Sequence, residues 1–142
     1  MNSLSGFLAQ NAVKAENVKH VVSKRFLDEK KKPIEWEIRC LTTDEDEAIK
    51  RDCTRRKPVV GKKGVYIPET DYNLYVGRVA AACTVYPNLN DKELQDSYHV
   101  MGALELLQRM LLPGEYQEYL SKVQEVNGFD IDMDDMVEEA KN

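Results

Sequence analysis

Apolar and polar residues alternate in the first third of the chain, and this alternation predicts a β-hairpin. In the stretch IEWEIRC, Trp36 and Ile38 stand between charged residues. A period of two is typical of a strand with one buried and one exposed face. The stretch VKHVVSKRF precedes it, across the polar turn LDEKKKP. We therefore expect an antiparallel hairpin over residues 18–41 whose buried face carries the single Trp of the chain.

A helix and two extended pieces are predicted after the hairpin. Thr42 and Glu45 have the spacing of a capping box, in which two side chains satisfy free N–H groups at a helix N-terminus. The acidic residues that follow suit the positive end of the helix dipole, and we expect this helix to end near Arg56. The stretch KPVVGKKGVYIPE is expected to form two extended pieces around a turn, ended by Pro68. These pieces could enlarge the sheet.

Apolar residues at spacings of three and four predict a helical part over residues 71–141. Its expected boundaries are, in chain order, Pro87, the capping pair Asn90 and Glu93, a break near Gly102, the pair Pro113–Gly114, the helix end Gly128 and the cap Asp132 of a last short helix. The fold class predicted from all elements is α+β, with an N-terminal β-hairpin or small antiparallel sheet followed by a C-terminal helical bundle.

The chain has the size and composition of one soluble globular domain over residues 1–142, with 42% hydrophobic and 32% charged residues. Residues 1–17 carry a small apolar cluster among polar residues and are expected to be one helical turn or an extended N-terminal arm. No apolar run approaches the ~20 residues of a membrane-spanning helix, and no signal peptide is recognisable. We expect the protein to stay in the cytosol where it is made.

Charge is distributed unevenly along the chain. Residues 1–71 carry 15 Lys and Arg against 12 Asp and Glu, a net of +3, whereas residues 72–142 carry 5 against 13, a net of -8. Such polarity can orient a protein on a partner or on copies of itself, because complementary patches steer encounter. The alternative is that both ends are solvated surface.

Residues that could perform catalysis or hold a cofactor are scarce. His20 lies in the predicted first strand and His99 in a helix pattern, and both are expected to be structural or surface imidazoles. The tail DIDMDD begins like a calcium loop, but Asp135 stands where Gly is required and Lys141 where a bidentate acid is required. Common hydrolase, nucleotide-binding and zinc motifs are absent from the sequence. We predict a non-enzymatic protein with no catalytic residues, no cofactor and no metal.

The three cysteines indicate neither a disulfide framework nor a zinc knuckle. Cys40, Cys53 and Cys83 are odd in number, widely spaced and form no Cys-x-x-Cys pair. All three are expected to be reduced thiols.

A basic segment over residues 50–63 is the strongest indication of nucleic-acid binding. It contains one acid, Asp52, and its GKKG sequence has the form of the loop that clamps nucleotides in KH domains. A KH loop joins two helices, however, whereas this one lies between extended pieces, and no aromatic residue interrupts the basic run to stack on bases. A solvated helix end and turn is the alternative. The basic residues are Lys50, Arg51, Arg55, Arg56, Lys57, Lys62 and Lys63.

Four stretches of the sequence together resemble one family. They are FLAQNA, IEWEIRCLT, LNDKELQDSYHVMGALELLQRML and LPGEYQEYLSKVQEVNGFD, and they resemble the XkdN-like tail assembly chaperones of phages and prophages in Gram-positive bacteria. The resemblance covers nearly the whole chain. It implies a chaperone in the bacterial cytoplasm that binds the long helical tape measure protein, keeps it soluble until the tail tube polymerises around it, and is absent from the mature particle.

Two surfaces are candidates for the partner binding that the resemblance implies. Phe7 and Leu8 on the N-terminal arm could dock on the tape measure protein or on a neighbouring copy, or else fold back on their own core. The apolar stripe of the Pro113–Gly128 helix could lie in a partner groove, or else form core. The stripe consists of Tyr116, Tyr119, Leu120 and Val123. Head-to-tail self-association of the charge-polarised domain is a further expectation.

The C-terminal residues permit a programmed frameshift, which occurs in several tail systems that the resemblance brings in. Ala140-Lys141-Asn142 can be encoded GCA AAA AAC, which contains a slippery heptamer in the correct frame. A -1 shift there would give a longer product that could contact the tail tube protein. Other codons encode the same residues, so the peptide permits this product without requiring it.

Overall fold

The computed structural model describes residues 4–129. The predicted last short helix, the calcium-like stretch and the codons of residues 140–142 lie outside these residues. The described part begins with a 3-10 turn, Leu4–Phe7. The strands and helices that follow are β1 Val18–His20, β2 Trp36–Ile38, α1 Thr43–Asp52, β3 Thr54–Pro58, β4 Tyr66–Thr70, α2 Tyr72–Cys83, β5 Thr84–Tyr86, α3 Lys92–Ser97, α4 Ala103–Met110 and α5 Pro113–Val126.

The predicted hairpin is confirmed, and it is the first part of a three-stranded antiparallel sheet in the order β1-β2-β5. Val18 pairs with Ile38 and His20 with Trp36. The third strand is β5, in which Thr84 pairs with Ile38. The prediction that residues up to Pro87 are helical was wrong at this point, because backbone pairing with β2 takes residues 84–86 out of the helix.

The extended pieces after α1 do not enlarge that sheet. β3 and β4 pair only with each other among the described residues, from Thr54 opposite Thr70 to Pro58 opposite Tyr66. They form a separate two-stranded ribbon, residues 54–70, which we call the basic hairpin. Pro68 lies inside β4 rather than at its end, so its predicted role as terminator was wrong.

The capping box of α1 is present as predicted. The Glu45 amide donates to Thr42 Oγ1 at 3.2 Å, and the Thr42 amide donates to Glu45 Oε1 at 2.9 Å. Arg39 also binds the Glu45 carboxylate, at 2.9 Å. The bond from Arg39, followed by that from the Thr42 backbone, lowers the pKa of Glu45 to about 2. The helix ends at Asp52, before the predicted end near Arg56, because the next residues enter β3.

After Pro87, the cap of α3 differs from the prediction by one residue. Asp91, not Asn90, caps α3 by accepting from the Leu94 amide at 2.9 Å. The break at Gly102 is confirmed, since this residue lies between α3 and α4 with φ +119°. Gly128 follows the end of α5 with φ +80°, a conformation that Gly adopts without strain.

The core lies between one face of the three-stranded sheet and helices α2, α4 and α5. Trp36 and Ile38 point from β2 into this core, as the alternation predicted. The helices contribute the side chains that fill the space: Val79, Ala80, Cys83, Leu106, Leu107, Met110, Tyr119 and Val123. Small antiparallel sheets together with five helices make the described part an α+β fold, as predicted.

Candidate partner-binding surfaces

The apolar stripe of α5 divides between core and half-buried positions. Tyr119 is 1% exposed, and its ring packs edge-on against Trp36 with the centroids 5.3 Å apart. Its hydroxyl lies 2.6 Å from Thr84 Oγ1, and burial raises its pKa. Val123 is also fully buried. In this conformation neither residue has surface to offer a partner, and only Tyr116 and Leu120 of the stripe are partly exposed.

The N-terminal arm, by contrast, displays its apolar side chains. Phe7 is 84% exposed and Leu8 is 44% exposed, and Leu4 and Val13 are largely exposed as well. The arm carries local hydrogen bonds, including one from the Ala12 amide to the Leu8 carbonyl at 2.9 Å. The 3-10 turn that presents Phe7 contains no buried residue. Four exposed apolar side chains within ten residues therefore form a short apolar surface that a partner could contact.

The seven basic residues of the 50–63 segment occupy three places in the fold. Lys50 and Arg51 lie in the last turn of α1. Three others lie on β3 and two in the turn of the basic hairpin, and all five are exposed. These five are Arg55, Arg56, Lys57, Lys62 and Lys63. Five of the seven basic residues thus lie on a ribbon. The sequence predicted extended pieces around a turn for Lys57, Lys62 and Lys63, but it placed Arg55 and Arg56 in the preceding helix, which was wrong.

An aromatic residue that the sequence analysis overlooked lies beside this charge. Tyr66 follows the basic run in the sequence, but strand pairing brings its ring under the Arg56 guanidinium, 5.2 Å from the ring centroid. Lys57 forms an exposed ion pair with Glu69 at 3.3 Å. Val60, Val65 and Ile67 are exposed on the same ribbon. The basic hairpin is therefore both positively charged and apolar.

The base of the basic hairpin is fixed to the body of the protein. Cys53 at the end of α1 is buried, and its carbonyl accepts from the Asp71 amide at 2.8 Å. Thr54 Oγ1 lies 2.7 Å from both the Lys50 carbonyl and Thr70 Oγ1. The ribbon is consequently held at its base, while both of its faces are open to solvent.

The LPGEY sequence and residues 127–129, both within the fourth stretch that resembles the family, are structural joints. The Glu115 carboxylate accepts from the Leu112 amide at 2.8 Å and pairs with Arg25 at 3.1 Å. Its pKa is lowered, first by a hydrogen bond from Ser23. The Asn127 side chain accepts from the Leu41 amide at 2.8 Å. These contacts join the two ends of α5 to the hairpin region, so they hold the fold together instead of exposing chemistry.

Groups for catalysis do not converge within residues 4–129. No three His, Cys, Asp or Glu side chains there are arranged to hold a metal ion. His20 lies in β1, and His99 lies after α3 with φ +57°, so its predicted helical position was wrong. All three cysteines are free, and burial raises the pKa of Cys53 and Cys83, which disfavours the reactive thiolate.

An open cavity of about 400 Å³ lies beside α1, α2 and α4. It is lined mainly by aliphatic side chains, and its charged groups are Arg78 and Glu105. Glu105 is the one carboxylate in this lining, and none of the lining residues is a histidine, cysteine, serine or lysine that could act beside it. None of the helices in the described range is long and apolar enough to cross a bilayer.

These observations define a small α+β protein whose unusual features are surfaces and not a catalytic cluster. A family model described as phage XkdN-like tail assembly chaperone protein matches residues 4–141. The chain belongs to this family of tail assembly chaperones.

Two curated relatives from Bacillus subtilis strain 168 match almost end to end. The uncharacterized protein YqbN is 36% identical over 140 residues, which is 98% of this chain and 93% of YqbN. The phage-like element PBSX protein XkdN is 34% identical over 140 residues, again 98% of this chain and 93% of the relative. A crystal structure of the protein YqbN has the same fold, with a TM-score of 0.78 and 30% identity, and the match covers 92% of this chain and 99% of that one.

Proposed function

We propose that this protein acts without catalysis by binding the tape measure protein in the cytoplasm of the host bacterium. There it keeps the tape measure protein soluble during assembly of the tail tube, and it is absent from the mature particle. Membership of the tail assembly chaperone family supports the proposal. The single observation that carries it is the exposed apolar arm, on which Phe7 and Leu8 project into solvent.

The arm has the physical character that such a task requires. A long amphipathic helix without its tube exposes apolar stripes that aggregate unless they are covered. Burying one large apolar side chain is worth only ~1.5–3 kcal/mol, so an arm with a few such residues binds weakly. Many copies can therefore cover a long stripe together and still leave when the tube protein arrives.

The test is co-expression with the long helical protein encoded just downstream, followed by affinity pull-down and light scattering. The wild-type chain should solubilise that protein and co-elute with it in many copies. The double variant Phe7→Ser/Leu8→Ser should lose this effect while keeping its melting temperature, since both side chains are exposed. A matched control is Met101→Ser/Leu27→Ser, because these residues are 91% and 48% exposed but lie outside the arm. Equal solubilisation by both double variants would refute the role of the arm.

The half-buried part of the α5 stripe is a secondary contact in this proposal. Tyr116 and Leu120 pack against the core with one side and reach solvent with the other. Leu120→Ser should reduce co-elution less than the arm variant does. Because Leu120 is partly buried, the melting temperature of the Leu120→Ser variant has to be measured alongside its binding.

A frameshifted longer product that contacts the tail tube protein is a separate proposal. It is supported only by the codons that Ala140, Lys141 and Asn142 permit. Reading the gene tests it. Codon AAG at Lys141, or a -1 frame closed directly downstream, would exclude the product.

Nucleic-acid binding by the basic segment is the second candidate function. The observation that favours it is the half-exposed Tyr66 ring beside Arg56. Single-stranded nucleic acids bind where bases can stack on an aromatic ring and phosphates can meet positive charge. Retention on heparin that is lost with modest salt, together with a mobility shift of a labelled oligonucleotide, would support it. Elution without retention would exclude it.

A further inference from the structure

The basic hairpin is exposed to an extent that its composition does not explain. Residues 54–70 carry five basic residues and one acid, a net charge of +4. From Arg55 to Glu69, every residue except the half-buried Val59 is exposed. Val60, Tyr66 and Ile67 are among the exposed apolar side chains. A two-stranded ribbon with both faces in water is only marginally stable by itself, so a surface of this kind is suited to a partner.

The strand edges of the ribbon are unsuited to binding that partner. The Val59 amide bonds the Val65 carbonyl at 3.0 Å, so hydrogen-bonded pairs alternate from that position along the ladder. Pro58 and Pro68 then fall at positions whose nitrogens face outward, one on each edge. Proline has no N–H to give a further strand. The hairpin is therefore expected to bind through its side chains.

The charges determine what kind of partner fits. Two copies of the hairpin repel each other, because each presents Arg55, Arg56 and Lys57. The occupant should be acidic and should carry apolar residues to match Tyr66 and Ile67.

One segment of the chain has this composition. Residues 130–142 contain six acids and one Lys, a net of -5, with Ile131, Met133, Met136 and Val137 among them. Residues 72–129 carry seven acids against four basic residues, a net of -3. Most of the negative charge of the second half thus belongs to the C-terminal segment.

We propose that the basic hairpin of one copy binds residues 130–142 of a second copy. Phe129 lies at the N-terminal end of α1, in a recess that it shares with Thr42 and Asp46. The hairpin begins at the opposite end of α1, which is ~15 Å away for ten residues. The acidic first turn of α1 lies beside Phe129 and repels a segment of like charge from the path along α1 to the hairpin of the same copy. Thirteen extended residues could span ~40 Å, so a wild type that stays monomeric is the result that would place the contact within one copy.

Because the two surfaces differ, the contact is heterologous and generates open head-to-tail chains. The attraction is between exposed charges, so it weakens with salt. This interaction goes beyond binding of the tape measure protein and would persist in its absence. The two proposals can therefore fail independently.

The experiment is sedimentation velocity of the full chain alone, over a concentration series at low and high salt. Wild type should associate progressively at low salt and dissociate at high salt. The hairpin variant Arg55→Glu/Arg56→Glu/Lys57→Glu should lose about tenfold or more in affinity between copies. The tail variant should do the same; it carries Asp130→Asn, Asp132→Asn, Asp134→Asn, Asp135→Asn, Glu138→Gln and Glu139→Gln.

Mixing the two variants gives the decisive result. Each variant retains one intact surface, so an equimolar mixture should form a two-chain complex that does not grow further. The matched control is Lys30→Glu/Lys32→Glu/Lys31→Glu, which reverses three exposed charges on the turn between β1 and β2 and should associate as wild type does. Circular dichroism of each variant checks that it is folded.

The proposal is overturned if wild type stays monomeric throughout, if the hairpin variant associates like wild type, or if the mixture forms no complex. A monomeric wild type that shifts a labelled oligonucleotide, with the shift lost in the hairpin variant, would assign the hairpin to nucleic acid instead.

Discussion

The two antiparallel sheets of this protein have similar strands but opposite surroundings. In the three-stranded sheet, Trp36 and Ile38 are buried under α2, α4 and α5. In the basic hairpin, both faces are in solvent, and Tyr66 and Ile67 are exposed although they are apolar. The helices within residues 4–129 therefore cover one sheet and leave the other uncovered. The difference suggests that the first sheet maintains the fold and the second serves contacts with other molecules.

The largest expected effect comes from the covered sheet. Tyr119→Ala removes a ring that packs on Trp36 and a hydroxyl that bonds Thr84. We expect a loss of ~3–5 kcal/mol in the free energy of unfolding, as for other large aromatic residues truncated in a core. Urea denaturation of the isolated protein measures it. A stability unchanged within ~0.5 kcal/mol, accompanied by lost partner binding, would move Tyr119 from the core to an interface.

A smaller effect is expected at the break between α3 and α4. Gly102 has φ +119°, and a Cβ atom there would lie 2.2 Å from Glu105 Oε2. Gly102→Ala should therefore lower the free energy of unfolding by ~1–3 kcal/mol. Gly114→Ala is the control, since a Cβ there meets nothing within 4 Å. Equal urea midpoints for the two variants would contradict this, because they would show that a Cβ atom at position 102 causes no strain.

A pH-dependent effect is expected at the start of α1. The pKa of Glu45 falls from its ordinary value of 4.5 to about 2 in the folded protein. A lowered pKa stabilises the fold above the unfolded value, and this stabilisation disappears as pH falls through the folded value. The difference in urea midpoint between wild type and Glu45→Gln should accordingly be largest above pH 4.5, fall as pH is lowered, and vanish below about pH 2. A difference that does not vary with pH would show that Arg39 does not stabilise the negative charge of Glu45.

The smallest effect on stability is expected in the basic hairpin. Ile67 is about half exposed and lies on a ribbon that no other part of residues 4–129 covers. Ile67→Ser should change the free energy of unfolding by no more than ~0.5 kcal/mol. Ile38 is fully buried, and Ile38→Ser should remove most or all of the free energy of unfolding. A loss at Ile67 comparable to that at Ile38 would mean that the hairpin is packed against another part of the chain in solution.

Local signals in the sequence were sufficient to predict much of the fold. The alternation around Trp36 predicted a strand with the correct face buried, and Thr42 with Glu45 predicted the start of α1. Gly102 and Gly128 marked a helix break and a helix end because Gly alone adopts their backbone angles easily. Each of these signals depends on residues within a few positions of one another.

Pairing between distant residues was not predictable in the same way. Thr84–Tyr86 continue the helical spacing of α2, yet they form a strand because β2 offers an edge, some 46 residues earlier at Ile38. The β-branched and aromatic character of these residues was the available signal. The two extended pieces around the GKKG turn were predicted, but their pairing as a separate ribbon was not: α1 stops before Arg55 and Arg56, which then pair with β4.

The sequence was least informative about which apolar residues bind a partner. A stripe at helical spacing has the same pattern whether it faces a core or a groove, and only the packing of Tyr119 on Trp36 distinguishes the two for the described chain. The LPGEY junction was informative about family, yet Glu115 acts there as a cap and an ion-pair partner. Motifs that identify a family need not be the residues that perform its function.

We propose that the exposed arm, and not the covered core, makes the main contact with the tape measure protein. Hydrogen–deuterium exchange of the co-purified complex, compared with the chain alone, tests this most directly. We predict slower exchange within residues 4–13, a smaller slowing in α5 around Tyr116 and Leu120, and unchanged exchange in α4. Unchanged exchange throughout residues 4–13 in a complex that remains assembled would contradict the claim.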